Sequence, residues 1–127
     1  MLGTSPVTTI LPVVDGERAR TFYGDVLGLT YVGRSGDGKH LFSIGSGTLA
    51  LLPKPEGTKA EHTALSFEVG DATVAVRELT ARGVVFDDYD LPGLKTVDKV
   101  CVLGSEKAAW FRDPEGNILC VHQAIDR

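Results

Sequence analysis

The stretch "VTTILPVVDGERARTFYGDVLGLTYV", residues 7–32, decides the fold, because a later stretch repeats its plan. It opens on an apolar, strand-like run that ends at Asp15. Ala19, Phe22, Tyr23, Val26 and Leu27 follow at helical spacing, and Gly28 stops them. Residues 64–86, "ALSFEVGDATVAVRELTARGVVF", keep the same order: a strand-like run to Asp71, a helical pattern through Val74, Ala75, Val76 and Leu79, then Gly83. Asp15 and Asp71 are read as N-caps, whose side-chain oxygens accept from unpaired amides of the first turn. Gly28 and Gly83 stand where each chain segment must turn left-handed out of its helix.

The repeat continues past the helices. After Gly28 come strand-like runs at 29–32, "KHLFSIG" at 39–45 and "TLALLP" at 48–53. After Gly83 come Val84–Asp87, "KVCVLG" at 99–104, "KAAWFR" at 107–112 and "NILCVHQ" at 117–123. Glycine-rich turns punctuate the gaps, including "GRSGDGK", "LPGL" and "DPEGN". The pattern is strand, helix, three strands, twice, with Asp15 and Asp71 set 56 residues apart. Two copies make a paired unit and not a solenoid. The expected fold is α+β: two βαβββ modules form a curved mixed sheet with a concave cavity, and the helices cover its outer face. One domain is expected over residues 1–127, with module one at about 7–53, a linker at 54–61 and module two at about 62–123.

Composition narrows the function. The 127 residues are 43% hydrophobic and 24% charged, the balance of a globular protein, and one core of that size is feasible. A net charge of -4 without a Lys/Arg block argues against nucleic acid and anionic membrane surfaces. The start, "MLGTSPVTTI", lacks a basic segment leading into an apolar one, and no apolar run reaches membrane-spanning length. Cys101 and Cys120 show no metal-binding or redox spacing and read as reduced thiols, so a cytoplasmic protein is expected.

"VVDGERARTFYGDVLGL" and "RDPEGNIL" resemble the vicinal oxygen chelate superfamily, which includes glyoxalase I, extradiol dioxygenases, and fosfomycin and bleomycin resistance proteins. The resemblance covers about residues 7–122. It implies paired βαβββ modules and a homodimer. In the metal enzymes of that superfamily, four strands each present one ligand to the concave face. The matching positions here are Thr8, then Ala50 or Leu51 depending on register, then Ala64, and finally Cys120. Thr and Ala make poor ligands, and the last position carries a thiol in place of a carboxylate. His62 and His122, two residues from Ala64 and Cys120, would share their faces if the strands alternate regularly, so a displaced site of His62, Cys120 and His122 is conceivable. The plainer reading makes His62 a strand-end surface residue.

Cys120 also has two readings. It is either a small buried hydrophobe or, with a cation nearby to lower its pKa, a reactive thiol. Trp110 and Phe111 are adjacent on one strand, so one meets the cavity and the other packs under the helices. The stretch "FDDYDLPGLKTVD", residues 86–98, reads as a solvated loop or edge strand kept soluble by its charge, with a lid or acidic lip as the functional alternative.

The expected function is metal-independent binding of a small molecule, without cofactor, of the bleomycin resistance type: sequestration of a drug or metabolite. The alternative is a divalent-metal lyase, isomerase or dioxygenase of the same superfamily. The expected ligand-binding residues are Thr8, Phe42, Leu49, Leu51, His62, Ala64, Trp110, Ile118, Cys120 and His122.

Overall fold

A computed structural model describes residues 1–125. In chain order the elements are β1 (Thr8–Val13), α1 (Gly16–Thr21), β2 (Thr30–Arg34), β3 (His40–Ile44), β4 (Gly47–Pro53), β5 (Thr63–Glu68), α2 (Ala72–Ala81), β6 (Asp90–Leu91), β7 (Leu94–Val97), β8 (Val100–Leu103), β9 (Glu106–Arg112) and β10 (Ile118–Ala124). A π-helical turn, Phe22–Val26, continues α1. The fold is mixed α+β, and its strands form two sheets, one of four and one of six. The chain divides into two compact units. The first is Met1–Lys59 with Pro114–Gly116, and the second is Ala60–Asp113 with the chain from Asn117 onward.

In the first unit the strand order is β1-β4-β3-β2, with β1 parallel to β4 and the other pairs antiparallel. Asp15 caps α1 by accepting from the Arg18 amide at 3.0 Å. The π-helical turn closes through the Leu27 amide on the Phe22 carbonyl at 2.9 Å, and Gly28 leaves it at φ 77°. Register assigns the faces. Thr8 pairs with Thr48, and Ile10 with Ala50, so these side chains share the face away from the helix. Leu11, Leu49, Leu51, Phe42 and His40 take the opposite face, where Tyr23 lies against Phe42 with ring centroids 6.2 Å apart. Tyr23, Phe42, Leu49 and Leu51 are fully buried there. Burying each such side chain favours folding by roughly 1.5–3 kcal/mol.

Three expected ligand-binding residues lie on this helix-covered face. Phe42, Leu49 and Leu51 belong to the core beneath the helix. After Thr48, "TLALLP" is apolar at every position, as strands buried on both faces are, so it carries no alternation to show which side is which. The register also selects Ala50 over Leu51 for the face of Thr8.

The first unit takes its last three residues from the turn between β9 and β10. The Glu115 side chain is only 1% exposed and accepts from the Val14 amide at 2.9 Å and the Asp15 amide at 3.2 Å. The Arg18 guanidinium lies 3.1 Å from the same carboxylate. Glu115 thus satisfies backbone donors at the β1–α1 junction that strand and helix leave unpaired.

The second unit orders its strands β5-β10-β9-β8-β7-β6. Its first four repeat the order of the first sheet, again with one parallel pair, β5 with β10. Asp71 caps α2 through the Val74 amide at 3.1 Å, and Gly83 follows at φ 97°. Ala72 and Val76 form the buried stripe of α2, and Val74 is 37% exposed, since positions 72, 76 and 79 lie on one helix face and 74 does not. Val84–Asp87 is not a strand. Phe86 makes one isolated bridge to Phe111, and the strand that takes the place of β2 is β8, after an inserted hairpin of β6 and β7. That hairpin lies in the acidic stretch read as a solvated loop or edge strand, and β6 is the sheet's edge. Its Asp88 accepts from Lys99 at 2.5 Å, so part of its charge is neutralised locally.

Candidate functional site

The richest chemistry among the described residues lies on the face of the second sheet turned away from α2. On β9 and β10, Phe111 pairs with Leu119 and Ala109 with Val121, and Phe111 stacks with Phe86 at 5.1 Å on the helix-covered side. The alternate residues consequently face the other way: Trp110 beside Cys120, Ala108 beside His122, and Arg112 beside Ile118. The choice between Trp110 and Phe111 is settled. Trp110 is on the free face and Phe111 is core.

Aromatic and polar groups gather around Trp110. The Tyr89 ring meets it edge to face at 5.6 Å, and the indole N–H donates to Thr63 Oγ1 at 3.2 Å. Ser66 lies beside Cys120 and Glu68 beside His122 across the β5–β10 pair. Ser66 Oγ and His122 Nδ1 share a hydrogen bond of 2.6 Å, and His122 Nε2 stands 3.9 Å from the Glu68 carboxylate. Asp87 and Arg112 face each other at 3.6 Å. Burial, and then the Asp87 charge, pushes the Tyr89 phenol above its usual range, which keeps it a protonated hydrogen-bond donor.

Cys120 is buried and donates to the Val121 carbonyl at 3.3 Å. Burial pushes its thiol up, and the neighbouring Ser66 and Ala109 backbone offset this only in part. A nucleophilic cysteine needs the opposite shift, so Cys120 is a small buried residue and not a poised thiolate.

The structure brings Trp110, Ile118, Cys120 and His122 onto one face and leaves other expected residues outside it. His62 is exposed and precedes β5, so strand alternation does not reach it. Ala64 falls in an irregularity: Ile118 pairs with Thr63 but Leu119 with Leu65, and the residue beside Cys120 is therefore Ser66. One extra residue in a strand shifts every face assignment before it. Thr8 is exposed on the helix-free face of the first sheet, with Ala50 on the same side. Ser66 and Glu68 were absent from the expected set. The polar–apolar alternation of "LSFE" would have found them, because Leu65 and Phe67 mark the buried face.

A sequence-family model for the Glyoxalase/Bleomycin resistance protein/Dioxygenase superfamily matches residues 5–121. The chain belongs to this superfamily. Solved structures of the superfamily fold agree. A glyoxalase family protein from Bacillus anthracis is 17% identical, with a TM-score of 0.75 and 95% of each chain covered. The antibiotic-binding protein TnmS3 from Streptomyces sp. CB03234 is 21% identical, with a TM-score of 0.71 and 98% of each chain covered. A lactoylglutathione lyase from Agrobacterium tumefaciens is 21% identical, with a TM-score of 0.65, covering 97% of this chain and 96% of its own. At such identities the likeness concerns the fold and not the chemistry. No curated protein matches the chain.

The superfamily's metal enzymes supply a test of fit. The positions matching their ligands hold Thr8 and Ala50 in the first unit and, in the second, Cys120 with Ser66 standing beside it in place of Ala64; hydroxyl, methyl and a protonated thiol are poor donors to a divalent ion. Among the described residues, no three His, Cys, Asp or Glu side chains are grouped to hold a metal, and His62 does not join Cys120 and His122. These donors do not fit a divalent cation.

Proposed function

We propose that this superfamily member is a metal-independent small-molecule-binding protein that sequesters a drug or metabolite on the helix-free face of its second sheet. One observation carries the reading: the edge-to-face pair of Trp110 and Tyr89, set beside Cys120 and the Ser66–His122 hydrogen bond. Aromatic rings give large contact area at little entropic cost, and a few fixed polar groups then orient the ligand, as in most small-molecule sites. A flat, partly aromatic compound suits this surface. That the fold serves antibiotic binding in the Streptomyces protein supports the reading at the level of architecture. The alternative, a divalent-metal lyase, isomerase or dioxygenase, is weaker because of which residues occupy the ligand positions.

Trp110 is the only tryptophan in the chain, so its fluorescence reports on this face alone. A panel of flat aromatic compounds, drugs included, should contain members that quench or shift that emission and raise Tm together. At a hundredfold excess over Kd such a ligand adds about 2.7 kcal/mol of stability. The reading fails if no compound does both, or if Ser66→Ala and Trp110→Phe leave the affinity of every hit unchanged.

The chain is proposed to work as one ligand-binding domain in a cytoplasmic homodimer. Edge strands β1 and β5, and the exposed Ile10, Val97 and Val102, support pairing with a second copy. Cys101 and Cys120, both free, support a reducing compartment. No helix among the described residues is long and apolar enough to cross a membrane. Sedimentation at micromolar concentration tests the dimer, and a species at the 13.5 kDa chain mass would refute it.

A further inference from the structure

The first unit carries a separate pocket of about 320 Å³ beside α1 and the π-helical turn, lined by Glu17, Arg20, Gly24, Asp25, Tyr31 and Phe42. Its charges are unevenly satisfied. His40 is buried, and its two ring nitrogens are spoken for: Nδ1 by the Tyr31 hydroxyl at 2.8 Å, and Nε2 by the Glu17 carboxylate at 3.2 Å. Glu17 therefore has a partner inside the protein, and it also faces Arg20 at 3.9 Å. Asp25 is different. Among the described residues no hydrogen bond or ion pair engages its carboxylate, which is exposed at the pocket.

The floor is aromatic and already holds a cation. The Arg20 guanidinium carbon sits 4.0 Å from the centroid of the Tyr31 ring, and the Tyr31 ring packs on Phe42 at 5.3 Å. A ring held in place by His40 presents its negative face to whatever lies above it. Arg20 is about half exposed, so it covers this floor without being locked there. Gly24 lines the opening, and a Cβ there would stand 3.5 Å from Cε2 of the buried Phe42 ring, narrowing the space above it. The π-helical turn that carries Gly24 and Asp25 is a rare conformation that recurs at functional sites.

We propose that this pocket binds a small organic cation, an ammonium or amidinium group on a body no larger than one ring. Asp25 pairs with the charge and Tyr31 takes the cation over its face, with Arg20 acting as a built-in competitor that swings aside. Every residue named here belongs to the first unit, and Trp110 belongs to the second.

Benzamidinium is the probe, with neutral benzamide and anionic benzoate as controls, followed by amide and indole NMR shifts of the full chain. Benzamidinium at millimolar concentration should move the Gly24, Asp25 and Tyr31 amides and leave the Trp110 indole N–H in place. Asp25→Asn, at an exposed position, should weaken it about fivefold, the worth of one exposed ion pair. Arg20→Met should tighten it by a similar factor by removing the competitor. Gly24→Ala, which favours helix, should weaken binding while Tm holds. The proposal is overturned if benzamide or benzoate binds as well as benzamidinium, or if Arg20→Met abolishes binding. It is equally overturned if the shifts appear at Trp110 instead, or nowhere.

Discussion

Ser66 Oγ and His122 Nδ1 lie 2.6 Å apart although 56 positions separate them in the chain. Parallel pairing of β5 with β10 brings them together, and it also sets Glu68 beside His122. The imidazole is thereby held from one side and electrostatically oriented from the other. A carboxylate facing Nε2 favours a proton on that nitrogen, leaving Nδ1 to accept from the Ser66 hydroxyl. Nitrogen-15 shifts should show His122 as the Nε2–H tautomer, and Ser66→Ala should erode that preference. A dominant Nδ1–H form in the unaltered protein would contradict this arrangement.

Glu115 should prove a stability residue and not a ligand contact. Its buried carboxylate serves two backbone amides and Arg18 at the start of α1. Glu115→Ala strands those donors and should cost about 2–4 kcal/mol in denaturant unfolding. Glu115→Gln keeps an acceptor and should lose about half as much. A neutral Glu115→Ala would mean that water replaces the carboxylate.

The Cys120 thiol should respond to pH in the direction its burial dictates. Its folded pKa is raised above the ordinary 9.0, so the folded state holds the proton more tightly than the unfolded one. The associated stability is complete below the unfolded pKa and is lost as pH climbs through the folded value. Tyr89, also raised, adds to the same alkaline loss above its ordinary 10.0. Urea midpoints should therefore fall above about pH 9, and Cys120→Ala should flatten the first part of that fall. Alkylation of Cys120 at neutral pH should run about tenfold or more slower than in the unfolded chain. Fast alkylation at pH 7 would show an accessible thiolate instead.

Divalent metal should be neither resident nor stabilising. With Thr8, Ala50, Ala64 and Cys120 at the superfamily's ligand positions, elemental analysis should find well below one equivalent per chain. Added zinc, manganese or nickel should leave Tm unchanged, because a ligand without a native-state site cannot stabilise it. About one equivalent of tightly held metal, lost on His122→Ala, would overturn this and revive the enzymatic alternative.

What the sequence alone determined was local or periodic. Asp15 and Asp71 reach amides three residues ahead, Gly28 and Gly83 end their own helices, and the 56-residue repeat follows from these signals without knowledge of packing. The α+β class and the superfamily were legible for that reason, as was the shared face of Cys120 and His122, whereas the choice of Trp110 over Phe111 for that face needed the pairing of β9 with β10.

The tertiary structure decided what depends on partners distant in the chain. "TLALLP" is apolar on both sides, so only the packing of Tyr23 on Phe42 shows that Leu49 and Leu51 point toward the helix. The irregularity opposite Ile118 replaced Ala64 with Ser66 beside Cys120, and no count along a single strand registers an extra residue in its neighbour. Glu115 reads as one residue of a generic turn until Val14, Asp15 and Arg18 are brought to it across about a hundred positions. Local hydrogen bonds and spacing are written in consecutive residues. Register and face are set by contacts between strands, and these exist only once the chain has folded.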